Sequence, residues 1–225
     1  MSRYMMINIG IILFPILFSF EKNIRFYRKL PALAASLGIV STVYIIWDII
    51  AASRGDWGFS ELYTGTIRIG GLPLEEILFF VTVPYAIIFT YETIHFYIKD
   101  GQVVVPGWLT LSLAVILFTL SGIYYTQYYT ATVMIFSGVF LLVMRFGESE
   151  LFRSRNFYIT LAVSYIPFFI VNYMLTSPPI VWYSPDAIWG PRFTTIPYED
   201  FFYSFSMISW WTYFYHLFLK RFKIV

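Results

Sequence analysis

Long apolar runs broken by short polar segments set the frame of this 225-residue chain. A hydrocarbon core of ~30 Å takes about 20 residues of helix to cross. Runs of suitable length fall at 4–20, 31–52, 73–97, 106–125, 128–144, 157–176 and 198–219. The pattern predicts an all-α integral membrane fold of seven transmembrane helices. The first run has neither a charged lead nor an Ala-x-Ala type cleavage site, so it reads as a retained helix rather than a signal peptide. Pro15, Pro84 and Pro167 fall inside runs and are expected to mark kinks, which neighbouring helices can accommodate.

Composition agrees with the pattern. Hydrophobic residues make up 59% of the chain and charged residues 12%, against about 25% charged in soluble domains. There is no cysteine, which removes disulfides, thiolate metal sites and cysteine nucleophiles. A net charge of +2 gives no reason to expect a nucleic-acid partner. The placement of the cations is more informative. Eleven (Lys22, Arg25, Arg28, Lys29, Lys99, Arg145, Arg153, Arg155, Lys220, Arg221, Lys223) fall on one predicted face, and only Arg3, Arg54, Arg68 and Arg192 on the other. The positive-inside rule makes the first face cytoplasmic, with the amino terminus outside and the carboxyl terminus in the cytoplasm of a multi-pass cell-membrane protein.

The chemistry concentrates in a doubled motif. Pro73-Leu74-Glu75-Glu76 opens the third run, and Pro197-Tyr198-Glu199-Asp200 opens the seventh, 124 residues later. In each copy an arginine, Arg68 or Arg192, stands five residues before the proline. The same shift lays helix 1 on helix 5, helix 2 on helix 6 and helix 3 on helix 7. It matches Tyr91 to Tyr215 and sets Asp48 against Asn172. The chain divides accordingly into a three-helix repeat over 1–100, a connecting helix over 101–126 and a second repeat over 127–225. An odd connector returns the chain to its starting side, so the repeats run parallel about an axis along the membrane normal. Carboxylates entering a membrane segment mark a functional site by default, because burying them unpaired costs several kcal/mol. The plainer alternative is that first-turn acids cap two helix N-termini and reach the headgroups. Asp48 reads either as a partner for an arginine or as an acid of the site. Glu92 and His95, near the cytoplasmic end of helix 3, read as interfacial.

The doubled Pro-x-Glu-acidic motif, each copy opening the third helix of a repeat and followed by a phenylalanine-rich face, resembles the integral-membrane lycopene cyclase domain in its fused tandem form. The resemblance covers nearly the whole chain. It implies conversion of linear lycopene to ringed carotenoids, most often β-carotene, without net redox change and with no cofactor. It also implies lycopene and related carotenoids, the bilayer and other enzymes of the pathway as partners. Such a cyclisation needs a proton donor, a pocket tolerant of a carbocation and a base. Glu75, Glu76, Glu199 and Asp200 can supply the acid and base, one member of a pair ionised near its arginine and its deeper neighbour protonated. Neighbours on a helix point about 100° apart, so one of each pair is expected to face the pocket. The identity of Glu75 and Glu199 favours these two as the acid, with Glu76 and Asp200 as base or orienting groups. Phe79, Phe80, Tyr198, Phe201, Phe202, Trp210 and Trp211 are the candidates for substrate contact through their ring faces. Arg68, Arg192, Pro73, Pro197, Asp48 and Asn172 are candidate supporting residues.

Other functions are weighed against the same residues. No Gly-x-Gly-x-x-Gly dinucleotide fingerprint follows a strand-like run. His95 and His216 are the only histidines, too few and too isolated for a metal site of the diiron type. Helix 7 has no interior lysine for a retinal Schiff base. Within the same family, closure of C50 carotenoids or of ε or γ rings is an alternative. A proton-coupled transporter stays open from another class, although helices 3 and 7 are polar mainly near their outer ends. A non-catalytic scaffold for a carotenoid pathway is the third reading.

Overall fold

The computed structural model describes residues 1–147 and 149–224. It is a bundle of seven helices: α1 (Arg3–Phe18), α2 (Leu30–Arg54), α3 (Leu74–Tyr97), α4 (Gly107–Ile123), α5 (Tyr128–Phe146), α6 (Arg155–Thr176) and α7 (Glu199–Arg221). Four of them, α2, α3, α5 and α6, are both long and apolar enough to cross a membrane. The apolar α1 and α4 are shorter, at 16 and 17 residues. α7 has the length, with 23 residues, but carries serines, tyrosines and tryptophans where a lipid-facing helix would carry aliphatics. Its surroundings account for this. α7 packs against α2, α3, α5 and α6, and its polar groups meet protein rather than lipid. Pro15, Pro84 and Pro167 lie inside helices that continue through them.

The packing interlocks the two repeats. α1 lies on α3 and α5 on α7 within each repeat, whereas α2 leans on α7 and α6 on α3, each middle helix reaching the third helix of the other repeat. Buried hydroxyls fix these crossings. Ser36 donates to the Trp211 carbonyl at 2.8 Å, Ser41 donates to the Phe80 carbonyl at 2.8 Å, and the Trp211 indole donates to Ser41 at 3.0 Å. In a medium without water such bonds are the available partners for these groups. At the far end Lys29 pairs with Glu92, whose other oxygen accepts from Tyr215 at 2.7 Å. Glu92 is therefore a buried tie that joins α3 to α7 and to the turn just before α2 rather than the interfacial residue its position suggests.

Three two-stranded β elements, not anticipated from the all-α pattern, cover the other end. β1 (Trp57–Phe59) pairs antiparallel with β4 (Val181–Tyr183), setting Trp57 opposite Tyr183 and Gly58 opposite Trp182. Positions 57–59 and 181–183 are themselves related by the shift of 124, so the ribbon is symmetric about its own centre. That places the pseudo-twofold axis through the Gly58–Trp182 pair. β2 (Arg68–Ile69) with β3 (Leu72–Pro73), and β5 (Arg192–Phe193) with β6 (Ile196–Pro197), form two equivalent hairpins. The recurrent spacing from arginine to proline is this hairpin, with Arg68 opposite Pro73 and Arg192 opposite Pro197. Its turn needs left-handed backbone, supplied in the first repeat by Gly70 and Gly71 with φ of 60° and 88°, as a type I′ turn requires. The second repeat places Thr194 there at φ 57°, a conformation that strains a β-branched residue.

Candidate functional site

The hairpins deliver the two acidic pairs to the starts of α3 and α7, and the two members of each pair take different roles. The first acids hold loops. Glu75 Oε1 accepts from Ser2 Oγ at 2.5 Å and from the Gly65 amide at 2.7 Å. Glu199 Oε1 accepts from Thr130 Oγ1 at 2.6 Å and from the Trp189 amide. In both repeats the amide donor lies ten residues before the acid. A Cβ at residue 65 would sit 2.9 Å from Glu75 Oε1, so the approach of the carboxylate depends on glycine.

The second acids face a cavity. Glu76 and Asp200, together with Asp48 from α2, line one space of about 870 Å³ between α1, α3, α6 and α7. Glu76 Oε2 accepts from Tyr4 OH at 2.5 Å. Asp200 Oδ1 accepts from Tyr129 OH at 2.6 Å and Oδ2 from Tyr183 OH at 3.0 Å. Asp48 Oδ1 accepts from the Trp57 indole, and Oδ2 is buried with no partner. Tyr183, on β4, is held as a donor, since burial and the adjacent Asp200 both push its phenol above the usual range and keep it protonated. Among the described residues no cation forms an ion pair with these three acids. The acids stand at only 2–8% exposure, bounded by the rings of Trp57, Tyr129, Tyr183 and Tyr203. Tyr129 stacks on Tyr183 at 5.6 Å and meets Trp57 at 4.9 Å. Away from this acidic head the walls are mostly apolar, with Ile7, Ile11, Phe79, Val83, Phe168 and Met207 among them, although Arg3, Thr90 and Ser164 also line the cavity.

Several expected placements are corrected. Glu75 and Glu199, favoured as the acid from their identity, do not line the cavity. Arg68 and Arg192 do not pair with the acids. Arg68 is exposed and donates to Thr64 at 3.1 Å, and Arg192 is exposed and donates to the Thr195 carbonyl at 2.9 Å. Arg192 lies over the Tyr183 ring at 5.8 Å, close enough for its charge to act on Asp200 without forming an ion pair. Of the aromatic candidates Phe79 alone lines the cavity. Phe80 and Trp211 are sealed in the core between α2, α3 and α7, and Trp210 packs edge-on against Phe140 at 5.1 Å. Phe201 and Tyr198 pack on each other at the outer end at 6.0 Å, and the Phe202 carbonyl accepts from Ser137 at 3.2 Å. For the helical residues the geometric reason is shared, since these side chains project from faces of α3 or α7 turned away from the cavity, whereas Tyr198 precedes α7 and is exposed. Asn172 does line the cavity, as does Asp48, which has no arginine partner; Arg54 pairs with Asp56 instead. Pro73 caps α3 and Pro197 directly precedes the capping residue of α7.

Tyr4, Trp57, Tyr129 and Tyr183, the donors to the cavity acids, escape sequence reasoning. Tyr4 and Tyr129 occupy corresponding roles but lie 125 residues apart, one off the repeat shift. Aligning the repeats therefore does not pair them.

A helical bundle of two parallel repeats, with a cluster of carboxyls and phenols at one end of an apolar cavity, defines a membrane protein suited to proton chemistry on a water-insoluble ligand. The lycopene cyclase family profile matches the chain twice, over residues 2–94 and 126–218. The chain belongs to that family, and a carotenoid cyclase role in general follows. The two matches stand 124 residues apart, the same shift that relates β1 to β4. No curated protein and no solved structure matches the chain.

Proposed function

We propose that the cavity closes the linear ends of lycopene to β-ionone rings, giving γ-carotene and then β-carotene, an intramolecular isomerisation. The observation that carries this reading is the three-carboxyl head of a mostly apolar cavity: Arg3 also lines the cavity, but among the described residues no cation forms an ion pair with these acids. A proton added to the terminal alkene leaves a tertiary cation. The neighbouring internal alkene attacks it and closes the ring, moving the charge onto the ring carbon. Loss of a ring proton then restores neutrality, so one proton enters, one leaves and no electrons are exchanged.

Glu76 is assigned as the acid. One of its oxygens accepts from Tyr4, and the other has no protein partner and can carry the proton toward substrate. Asp200 is assigned as the base, because both its oxygens already accept hydroxyl protons and a carboxylate keeps acceptor capacity beyond those two bonds. Asp48 adds a third carboxyl beside the cation's path. The ring faces of Trp57, Tyr129, Tyr183 and Tyr203 each offer a passing cation roughly 0.5–2 kcal/mol. The exposed cations of the hairpin end, against the larger number at the opposite end, support an amino terminus outside the cell.

Expression in a bacterium that accumulates lycopene, with chromatography of the extracted pigments, tests the reading. The unmodified chain is expected to yield β-carotene, whereas Glu76→Gln and Asp200→Asn leave lycopene unconverted. Persistence of lycopene with the unmodified protein present in the membrane would refute β-cyclase activity.

A further inference from the structure

We infer that the tandem chain has one active site rather than two, that substrate slides into it sideways from the hydrocarbon layer between α1 and α6, and that the two ends of a linear carotenoid are closed there in succession. The inference rests on the cyclase reading and adds to it the number of sites, the route of access and the order of events.

The acidic head lies on the pseudo-twofold axis. Glu76 and Asp200, Asp48 and Asn172, and Phe79 and Tyr203 are symmetry mates under the 124-residue shift, and all six line the same cavity. One centre is thus assembled from both repeats. From such a centre symmetry would allow two apolar shafts, one between α1 and α6 and its mate between α5 and α2. Among the described residues the first is open. Its walls include Gly10, Ala86, Ile87, Thr90 and Val171. The residues at the mate positions are Met134, Trp210, Trp211, Phe214 and Trp47. Each of these five exchanges enlarges the side chain, although elsewhere in the lining Ile7 and Leu175 have the smaller mates Ala131 and Ala51. Trp47 stacks on Phe136 at 4.9 Å, Trp210 meets Phe140 at 5.1 Å, and Trp211 and Met134 are buried. The second shaft is filled with protein.

The open shaft also has a side door. Met6 and Gly10 on α1, and Ile170, Tyr173 and Met174 on α6, line the cavity while being exposed on the outer surface of the bundle. That surface faces acyl chains in a membrane, where a linear carotenoid dissolves. A polyene entering end-first between α1 and α6 meets the acids at the axis, and its far end stays outside in the lipid. The second end can reach the acids only after the first has withdrawn.

Binding stoichiometry separates this inference from the chemistry. Purified protein in detergent is titrated with lycopene, and bound polyene is measured by its absorbance after gel filtration. One equivalent per chain is expected for the unmodified protein and for Glu76→Gln, which removes the acid without filling the shaft. Ala86→Trp, which copies the mate residue into the open side, is expected to lower binding and turnover at least tenfold. Gly10→Phe is a second block at a position where a new Cβ meets no atom within 4 Å, so loss of binding there with an unchanged gel-filtration profile is not misfolding. Trp210→Ala is expected to keep turnover within twofold. Two equivalents bound per chain, or well-folded Ala86→Trp and Gly10→Phe proteins that keep half or more of the activity, would overturn the single site. Binding of one equivalent without any ring formation would instead count against the cyclase reading.

Discussion

Replacing Tyr4 by phenylalanine isolates the contact on which the assignment of the acid depends. Tyr4 is 1% exposed, its ring lies 6.0 Å from that of Phe79, and its hydroxyl donates to Glu76 Oε2 at 2.5 Å. Phenylalanine keeps the ring and its packing and removes one donor. As Glu76 gives up its proton it becomes a carboxylate, and a hydrogen bond to a charged group contributes about 1.5–3 kcal/mol. If that bond positions Glu76 in the transition state, its loss slows cyclisation roughly 10- to 100-fold, at about 1.4 kcal/mol per tenfold. The assay is initial-rate conversion of lycopene by purified protein in lipid nanodiscs, read as kcat and KM by chromatography. The loss is expected in kcat, because the hydroxyl touches the acid and not the apolar shaft. Tyr129→Phe is the internal comparison: Asp200 keeps its second donor, Tyr183, so a smaller loss, below about 10-fold, is expected. Tyr4→Phe turning over at the unmodified rate, or raising KM alone, would refute the assignment of Glu76 as the acid.

Three further outcomes follow from the same geometry. Glu75→Gln and Glu199→Gln remove charge from loop-tying groups outside the cavity, so thermal unfolding is expected to show a loss of about 1–3 kcal/mol each while the product profile stays unchanged. Arg68→Ala and Arg192→Ala, at exposed residues without ion pairs, are expected to change stability by less than about 0.5 kcal/mol and turnover by less than twofold, as pigment analysis would show. Thr194→Gly relieves left-handed strain at the second hairpin and is expected to raise stability by about 1 kcal/mol in a denaturation series.

The seven helices, the repeat shift and the end of the bundle that carries the acids were legible because they depend on length, hydropathy and spacing. The faces of α3 and α7 were not. Glu75 and Glu76 differ by about 100° of helix rotation, and only packing against α1 shows which of them turns to the cavity. Identity between repeats pointed to Glu75 and Glu199, and that identity reflects a shared structural task, the tie to a loop amide ten residues back. The arginine-to-proline spacing is visible in the sequence but fits charge pairing as well as a hairpin. Strands two residues long leave no periodicity from which to see a hairpin. The bulk of Trp210 and Trp211 against Ala86 and Ile87 across the shift is the sequence signal that marks them as fillers rather than substrate contacts.

The β1–β4 ribbon carries a consequence for the origin of the chain. Its register sets each residue against the counterpart of its mirror position, Trp57 with Tyr183 and Phe59 with Val181. Two copies of one polypeptide meeting across a dyad form the same arrangement, an isologous contact. The fused protein is in this sense a homodimer made covalent. A true homodimer must spend every substitution twice, once on each side of its axis. Covalent fusion lifts that constraint, so one flank could fill with tryptophan while the other stayed open to the bilayer.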